Sequence, residues 1–176
     1  MNPVIARPVR TVATVVALAT LLLLAACGGG RTQTGLIRRI NPPSAALERL
    51  TVASGAPVNV AVRLQNFSTV PTGYGLLDAA VSINGWPVGR LQVEAGIDIP
   101  GLSSDVISAQ LPLAEADRAR IDVAVARGAA LAYRLEGTIQ TIDPDGRFEF
   151  EFESRLTPVP GRPGEFPELR RAVDDD

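Results

Sequence analysis

The segment from Arg147 to Leu156 reads RFEFEFESRL, and no other segment of the chain alternates as cleanly. Apolar residues alternate with charged residues along it, and this period of two is typical of a β-strand with one buried face. Phe148, Phe150 and Phe152 therefore share one face, and the acidic residues between them share the other. A phenylalanine face in water would promote aggregation, so we expect it to pack against a second sheet.

Upstream segments show strand-like alternation or composition and are separated by turn residues. They cover residues 46–52, 57–67, 76–84, 86–93, 105–111 and 130–142, with a further short candidate at 36–40. Residues 113–126 are rich in alanine, arginine and acids, and they predict one short helix that ends near Gly128. The side chains expected to face inward from this helix are Leu113, Ala116, Ile121 and Ala124. The order predicts an all-β, antiparallel β-sandwich with one short helix.

The first 27 residues have the three zones of an export signal. Arg7 and Arg10 precede an uncharged run over residues 11–24, which is shorter than the roughly 20 residues of a spanning helix. Leu24-Ala25-Ala26-Cys27 follows and is similar to a lipobox, the cleavage site of lipoproteins. The Cys27 thiol is the nucleophile that would take a diacylglyceryl group, so Cys27 is the predicted lipidation site. The alternative is a buried cysteine behind an ordinary signal.

These features divide the chain into four predicted segments. They are a lipoprotein signal peptide (1–26), a tether (27–35), the sandwich domain (36–157) and a flexible tail (158–176) rich in proline and acids. Gly28 stands where an aspartate would resemble an inner-membrane retention signal. We therefore expect an outer-membrane lipoprotein that faces the periplasm, rather than an inner-membrane or surface-exposed one.

Several residue types are missing from the chain. It has no histidine and no lysine, and Cys27 is the single thiol. This excludes Ser-His-Asp and Cys-His nucleophiles, zinc sites of histidine and cysteine, and lysine-based Schiff-base or phosphate chemistry. Removal of the signal leaves 15 basic and 19 acidic residues, a formal charge of −4. We expect no enzyme activity, cofactor, metal or nucleic-acid partner.

Two acidic features could bind a cation, but each also has a structural interpretation. Glu149, Glu151 and Glu153 could hold a cation or a basic partner, although the solvated face of an outer strand explains them and is favoured. Asp143 and Asp145 could offer oxygens to calcium. They lack the other ligands of a calcium loop, so a turn is favoured.

Residues around a predicted hairpin could form a contact surface. Asn84-Gly85 predicts a tight turn, because both residues tolerate positive φ, and its tip could touch a partner. Trp86, the only tryptophan, is either a core residue or an exposed anchor for a membrane or a partner, and the core interpretation is favoured. Asn66 is expected to bond neighbouring backbone at a strand end.

Four motifs follow one another between residues 42 and 156. They are the strand 58–66 that ends in Asn66, the hairpin 79–89 around Ile83-Asn84-Gly85, the segment 99–104 (IPGLSS) and the segment 133–137 (YRLEG). Together they resemble the type-2 late-embryogenesis-abundant family, also called the water-stress and hypersensitive-response (WHy) domain. One position departs, since Phe67-Ser68 follows Asn66 where the family has Pro-Asn. The resemblance implies an immunoglobulin-like or fibronectin-III-like sandwich without a catalytic centre, and roles in stress tolerance or association with membranes or lipids.

Two functional hypotheses follow. The first is a non-enzymatic envelope protein, tethered to the membrane through Cys27, that binds or protects at the periplasmic face under water or osmotic stress. The second is an accessory subunit that offers an edge strand to another envelope protein. A hydrolase is disfavoured, because only carboxylates, hydroxyls and arginine remain for chemistry. The expected partners are the membrane and either an envelope protein or a lipid.

Overall fold

The computed structural model describes residues 37–168 of the 176-residue chain. Its elements are β1 (Ser44–Thr51), β2 (Val58–Gln65), β3 (Thr72–Ile83), β4 (Trp86–Ile99), β5 (Ser104–Leu111), α1 (Glu115–Ala126), β6 (Leu131–Asp143), β7 (Asp145–Leu156) and β8 (Glu165–Pro167). The predicted signal peptide, the lipidation site Cys27 and the tether lie outside the described residues.

The strands form two four-stranded antiparallel sheets. Sheet 1 has the order β5-β2-β1-β8 and sheet 2 has the order β4-β3-β6-β7. Helix α1 lies in the connection from β5 of sheet 1 to β6 of sheet 2. The predicted antiparallel β-sandwich with a short helix is confirmed.

The alternation along β7 sorts its side chains as predicted. Phe150 is 8% exposed, while Phe148 and Phe152 are half-buried at its sides. The core that receives Phe150, and against which Phe152 packs, is formed by the inner faces of both sheets. Its largest fully buried side chains are Leu47, Leu50, Leu64, Tyr74, Leu77, Leu91, Ile99, Ile121, Leu131, Leu135, Ile139 and Phe166. Burial of these apolar groups is the main term that stabilises the fold.

Helix α1 closes one end of the sandwich. Ile121 is buried, and Leu113 and Ala124 pack partly against the core, as predicted. Ala116 is exposed, so its predicted inward position is wrong: it lies in the first turn of α1, ahead of the turn that meets the core. Gly128 follows the C-cap with φ +59° and donates to the carbonyl of Val125 over 3.0 Å, a backbone conformation that favours glycine.

The prediction of a flexible tail from residue 158 is wrong for its first part. β8 pairs antiparallel with β1, and Phe166, opposite Leu50, is almost fully buried. Prolines interrupt a long ladder, but three residues can still pair at the edge of a sheet, where a missing N–H is tolerated. Residues 169–176 lie outside the described residues.

The short candidate strand at 36–40 is also wrong for residues 37–40, which form no strand. Instead they lie beside the loop that comes after β2. The Arg39 N–H donates to the Thr69 hydroxyl, and the Thr69 N–H donates to the Arg39 carbonyl. We call this end of the sandwich, formed by residues 37–43, 66–71 and 100–103, the entry end. The opposite end, with the Asn84-Gly85 turn and α1, is the helix end.

Candidate functional site

The acidic stripe of β7 lies on the outer face of sheet 2. Glu151 and Glu153 are exposed, and their carboxylates lie 3.0 and 3.2 Å from the guanidinium of Arg134 on the neighbouring strand. Arg134 also pairs with Glu136 at 3.2 Å, and Glu149 is exposed. The solvated-face interpretation is confirmed, and one arginine already neutralises part of the stripe.

Asp143 and Asp145 flank the turn between β6 and β7, as predicted. Within the turn, the hydroxyl of Thr141 donates to the carbonyl of Pro144 over 2.6 Å. Both aspartates are exposed. Within residues 37–168, no group of three or more acidic, histidine or cysteine side chains is placed to hold a metal ion.

The Asn84-Gly85 hairpin is fixed to β6 as well as to its own strands. Asn84 and Gly85 have φ of +51° and +82°, which is the geometry of a tight two-residue turn. The Asn84 N–H donates to the Ala132 carbonyl over 2.8 Å, and the Asn84 Oδ1 accepts from the Ala132 N–H over 3.0 Å. This asparagine therefore joins three strands of sheet 2.

Trp86 is 60% exposed, so the core interpretation is wrong. Trp86 is the first residue after the turn and lies at the margin of sheet 2. The neighbour over its ring is the guanidinium of Arg120 on α1, 5.1 Å from the ring centroid, rather than a second sheet. The result is an exposed cation–π pair at the helix end.

Asn66 joins two loops at the entry end. Its side chain is buried, and Nδ2 donates to the carbonyls of Val70, Ile99 and Pro100 over 2.9, 3.0 and 3.1 Å. Its Oδ1 accepts from the N–H of Ser68 over 2.9 Å. The predicted backbone-bonding role is confirmed, and it extends to a loop that lies more than 30 residues away in sequence.

A second polar network crosses the sandwich and was not predicted from the sequence. The Tyr133 hydroxyl donates to Glu168 over 2.9 Å, and Glu168 accepts from Arg63 over 3.1 Å. Arg63 also donates to Glu48. Burial, together with the charge of Glu168, raises the pKa of Tyr133. The four residues lie on four different segments, so no local pattern could have grouped them.

These polar groups join strands and loops to one another. Asn66 and Tyr133 make buried hydrogen bonds to backbone groups, which is the ordinary requirement for polar groups in a core. None of the helices in the described part of the chain has the length and apolarity needed to span a bilayer.

The sequence profile of the late embryogenesis abundant protein family matches residues 61–156, which is more than half of the chain. The chain belongs to the type-2 late embryogenesis abundant (LEA) family. The match begins within β2 and ends with β7, so β1, β8 and Glu168 lie outside it.

Two solved structures are similar to the LEA domain. The solution structure of a protein from Arabidopsis thaliana is 9% identical, with a TM-score of 0.50, and the alignment covers 74% of this chain and 91% of that one. A crystal structure of a protein from Archaeoglobus fulgidus is 17% identical, with a TM-score of 0.39, over 69% of this chain and 98% of that one. No curated protein matches the chain. The Arabidopsis likeness shows a shared fold.

The glycines in the motifs of the LEA domain are explained by close backbone approach. A Cβ at Gly137 would lie 2.1 Å from the carbonyl oxygen of Asp78, and one at Gly89 would lie 2.6 Å from that of Pro112. A Cβ at Gly101 would lie 2.6 Å from the backbone of Thr69. Only glycine fits such contacts. These glycines of the family-like motifs therefore have a structural role in the sandwich.

Proposed function

We propose that this protein is a non-enzymatic lipoprotein of the bacterial envelope. Cys27 would carry the lipid, and the LEA domain would act at the periplasmic face of the outer membrane, in binding or protection under water or osmotic stress. The observation that carries the proposal is the Leu24-Ala25-Ala26-Cys27 motif ahead of a domain of the LEA family. A lipid tether would concentrate the domain beside any envelope target.

Two observations support a non-enzymatic role. Asn66, Gly137 and the Asn84-Gly85 turn are all occupied in holding the fold together. The chain also lacks histidine and lysine, so the usual general bases and amine nucleophiles are missing.

The anchor is tested by Cys27→Ser in the full-length protein. Wild-type protein should incorporate a metabolic fatty-acid label and require detergent for extraction, whereas the serine variant should do neither, because its hydroxyl cannot replace the thiol. Gly28→Asp is the matched control: it should keep the label and move the protein toward the inner-membrane fraction. Unlabelled, detergent-free soluble wild-type protein would refute the anchor.

The protective role is tested in cells that lack the protein. Survival after desiccation or an osmotic upshift should fall, wild-type protein should restore it, and Cys27→Ser should restore it less. Equal survival with and without the protein would refute a stress role while leaving the anchor intact.

The second candidate, an accessory subunit, is favoured by Trp86. This exposed ring stands at the start of β4, which is an edge strand of sheet 2 and offers backbone groups for strand addition. Crosslinking in the envelope, followed by identification of bound proteins, separates the two. A stoichiometric partner that is lost in Trp86→Ala supports the subunit, and the absence of any such partner supports the first proposal.

A further inference from the structure

Four bulky apolar side chains are exposed together at the entry end. Ile37 is 68% exposed, Ile40 50%, Phe67 45% and Leu102 69%. We call these four side chains the apolar rim. Single exposed apolar residues are ordinary on protein surfaces, whereas a group of them marks a contact surface.

Hydrogen bonds hold the three segments of the apolar rim together. The Thr69 hydroxyl donates to the carbonyl of Ile37 over 2.7 Å, which fixes the N-terminal segment to the loop after β2. The N–H of Leu102 donates to the carbonyl of Ser68 over 2.9 Å, which fixes the second loop to the first. Asn41 also donates from its side chain to the carbonyl of Phe67 over 2.7 Å. The rim is therefore a built surface of the sandwich.

The backbone conformation of Leu102 is unfavourable for a leucine. Its φ is +57°, in the left-handed region that favours glycine and asparagine, yet its apolar side chain is mostly exposed. A branched side chain in this conformation costs free energy that the surrounding structure must offset. Such a cost at an exposed position points to a use for the leucine side chain outside the fold.

The charges beside the apolar rim are of both signs. Arg38 and Arg39 lie between two rim residues, are exposed, and form no ion pair within residues 37–168. Asp98 and Asp105, also exposed, lie on β4 and β5 next to the loop that holds Leu102. These two arginines are adjacent in sequence to apolar rim residues. In a membrane the arginines would pair with anionic headgroups while the apolar side chains contact the hydrocarbon beneath.

We propose that the apolar rim inserts into the headgroup–acyl boundary of the membrane that holds the lipid on Cys27. This rests on the lipoprotein proposed above. Ile37 follows Cys27 by ten positions, and ten residues span at most about 36 Å of extended chain. The chain that would carry the anchor joins the sandwich at the entry end, so this end is the nearer of the two to Cys27 along the chain. Trp86 pairs with Ile83 at the far end of β3, about 35 Å away along the strand.

The test places a fluorophore at each end of the full-length protein. Leu102→Cys and Val123→Cys, the latter a half-exposed residue of α1, are labelled with an environment-sensitive thiol dye. Both are reconstituted in vesicles of phosphatidylethanolamine and phosphatidylglycerol that carry a nitroxide lipid. We expect a blue shift and at least twofold quenching at Leu102, and neither at Val123. Equal responses at both sites, or none at Leu102, would overturn the proposal.

Two further measurements separate this inference from the lipid anchor. Protein with no added cysteine should not react with the dye, because a lipidated Cys27 has no free thiol; labelling there refutes the anchor. Leu102→Cys in a Cys27→Ser background, titrated with the same vesicles, reports on the rim alone. A saturating shift there supports the rim even if the anchor fails. A shift that depends on protein concentration without nitroxide quenching would indicate a second copy of the chain and overturn the proposal.

Discussion

The hydroxyl of Tyr133 lies 2.9 Å from Oε1 of Glu168 and donates a hydrogen bond to it. The same hydroxyl accepts from the N–H of Leu47 over 3.2 Å. Tyr133 stands at the start of the YRLEG motif in β6, and Glu168 follows β8, outside the part of the chain that matches the family. A residue inside the family match therefore holds a C-terminal segment that lies outside the match.

Loss of the hydroxyl should affect the free energy of unfolding differently at the two tyrosines of the chain. Tyr133→Phe leaves the Glu168 carboxylate and the Leu47 N–H each short of a partner, and it should lower the free energy of unfolding by about 1–3 kcal/mol. Within the described residues the buried Tyr74 hydroxyl has no hydrogen-bond partner. Tyr74→Phe should therefore leave stability unchanged or raise it. Urea melts at pH 7 measure the free energy of unfolding of both variants. Equal losses of stability would contradict a hydrogen-bonding role that belongs to Tyr133 alone.

The same tyrosines should make stability fall at alkaline pH. Burial raises the pKa of Tyr74 to about 12, so the unfolded chain, with a tyrosine pKa of about 10, loses this proton first. The native state then binds more protons than the unfolded state, and stability declines as the pH rises from about 10 toward about 12, by about 2–3 kcal/mol for Tyr74. Lysine, which also titrates there, is missing from the chain.

Tyr74→Phe is the variant that tests this pH dependence. It should remove the Tyr74 share of the decline and leave the share of Tyr133, whose pKa is also raised. The measurement is the free energy of unfolding in a series of buffers from pH 8 to pH 12. An unchanged slope would show that the Tyr74 hydroxyl reaches solvent in the native state.

Phe150 and Glu151 test the two faces of β7. Phe150→Ala should lower the free energy of unfolding by about 3–5 kcal/mol, from lost apolar burial and the cavity that remains. Glu151→Ala removes one exposed ion pair to Arg134 and should cost within about 1 kcal/mol. Denaturant melts of both variants give the comparison. Similar costs would mean that the acidic face is shielded by a partner or a second copy.

Phe166 tests the docking of the C-terminal segment. Phe166→Ala should cost about 3–5 kcal/mol, since its ring fills the core beside Leu50. Arg162→Ala, in the preceding turn, removes an exposed contact with Glu165 and should change stability by less than about 0.5 kcal/mol. Thermal melts of both variants provide the measurement. A small effect of Phe166→Ala would show that β8 contributes little to the folded state.

Gly137 tests the close approach of β6 and β3. Gly137→Ala would place a methyl group 2.1 Å from the Asp78 carbonyl oxygen, and the strands would have to separate. We expect a loss of about 1–3 kcal/mol, in the range of overpacked sites. Gly75→Ala is the matched control, because its Cβ would meet nothing closer than 3.4 Å. A tolerated alanine at residue 137 would mean that the sheet adapts there.

The strand pattern of this protein could be determined from the sequence because it is local. In β7, the period of two assigns Phe150 inward and Glu151 outward whatever the partner strands are. The same local logic located the Asn84-Gly85 turn and the end of α1 at Gly128, where the backbone conformation itself requires particular residues. The signal-like segment and Cys27 are likewise local patterns, and their function stays a proposal.

The residues that meet across long sequence separations are visible only in the folded structure. Glu168 binds Tyr133 and Arg63, which lie 35 and 105 positions away, and no local period encodes such pairs. Composition suggested a loose tail from residue 158, yet one buried phenylalanine and three paired residues dock its part up to residue 168. The same limit applies to Trp86, whose place at the margin of sheet 2 exposes an aromatic ring that hydrophobicity alone would bury. The assembly of the apolar rim from three segments depends on loop contacts between residues 37–41, 66–69 and 101–103, which form only once the sandwich has folded.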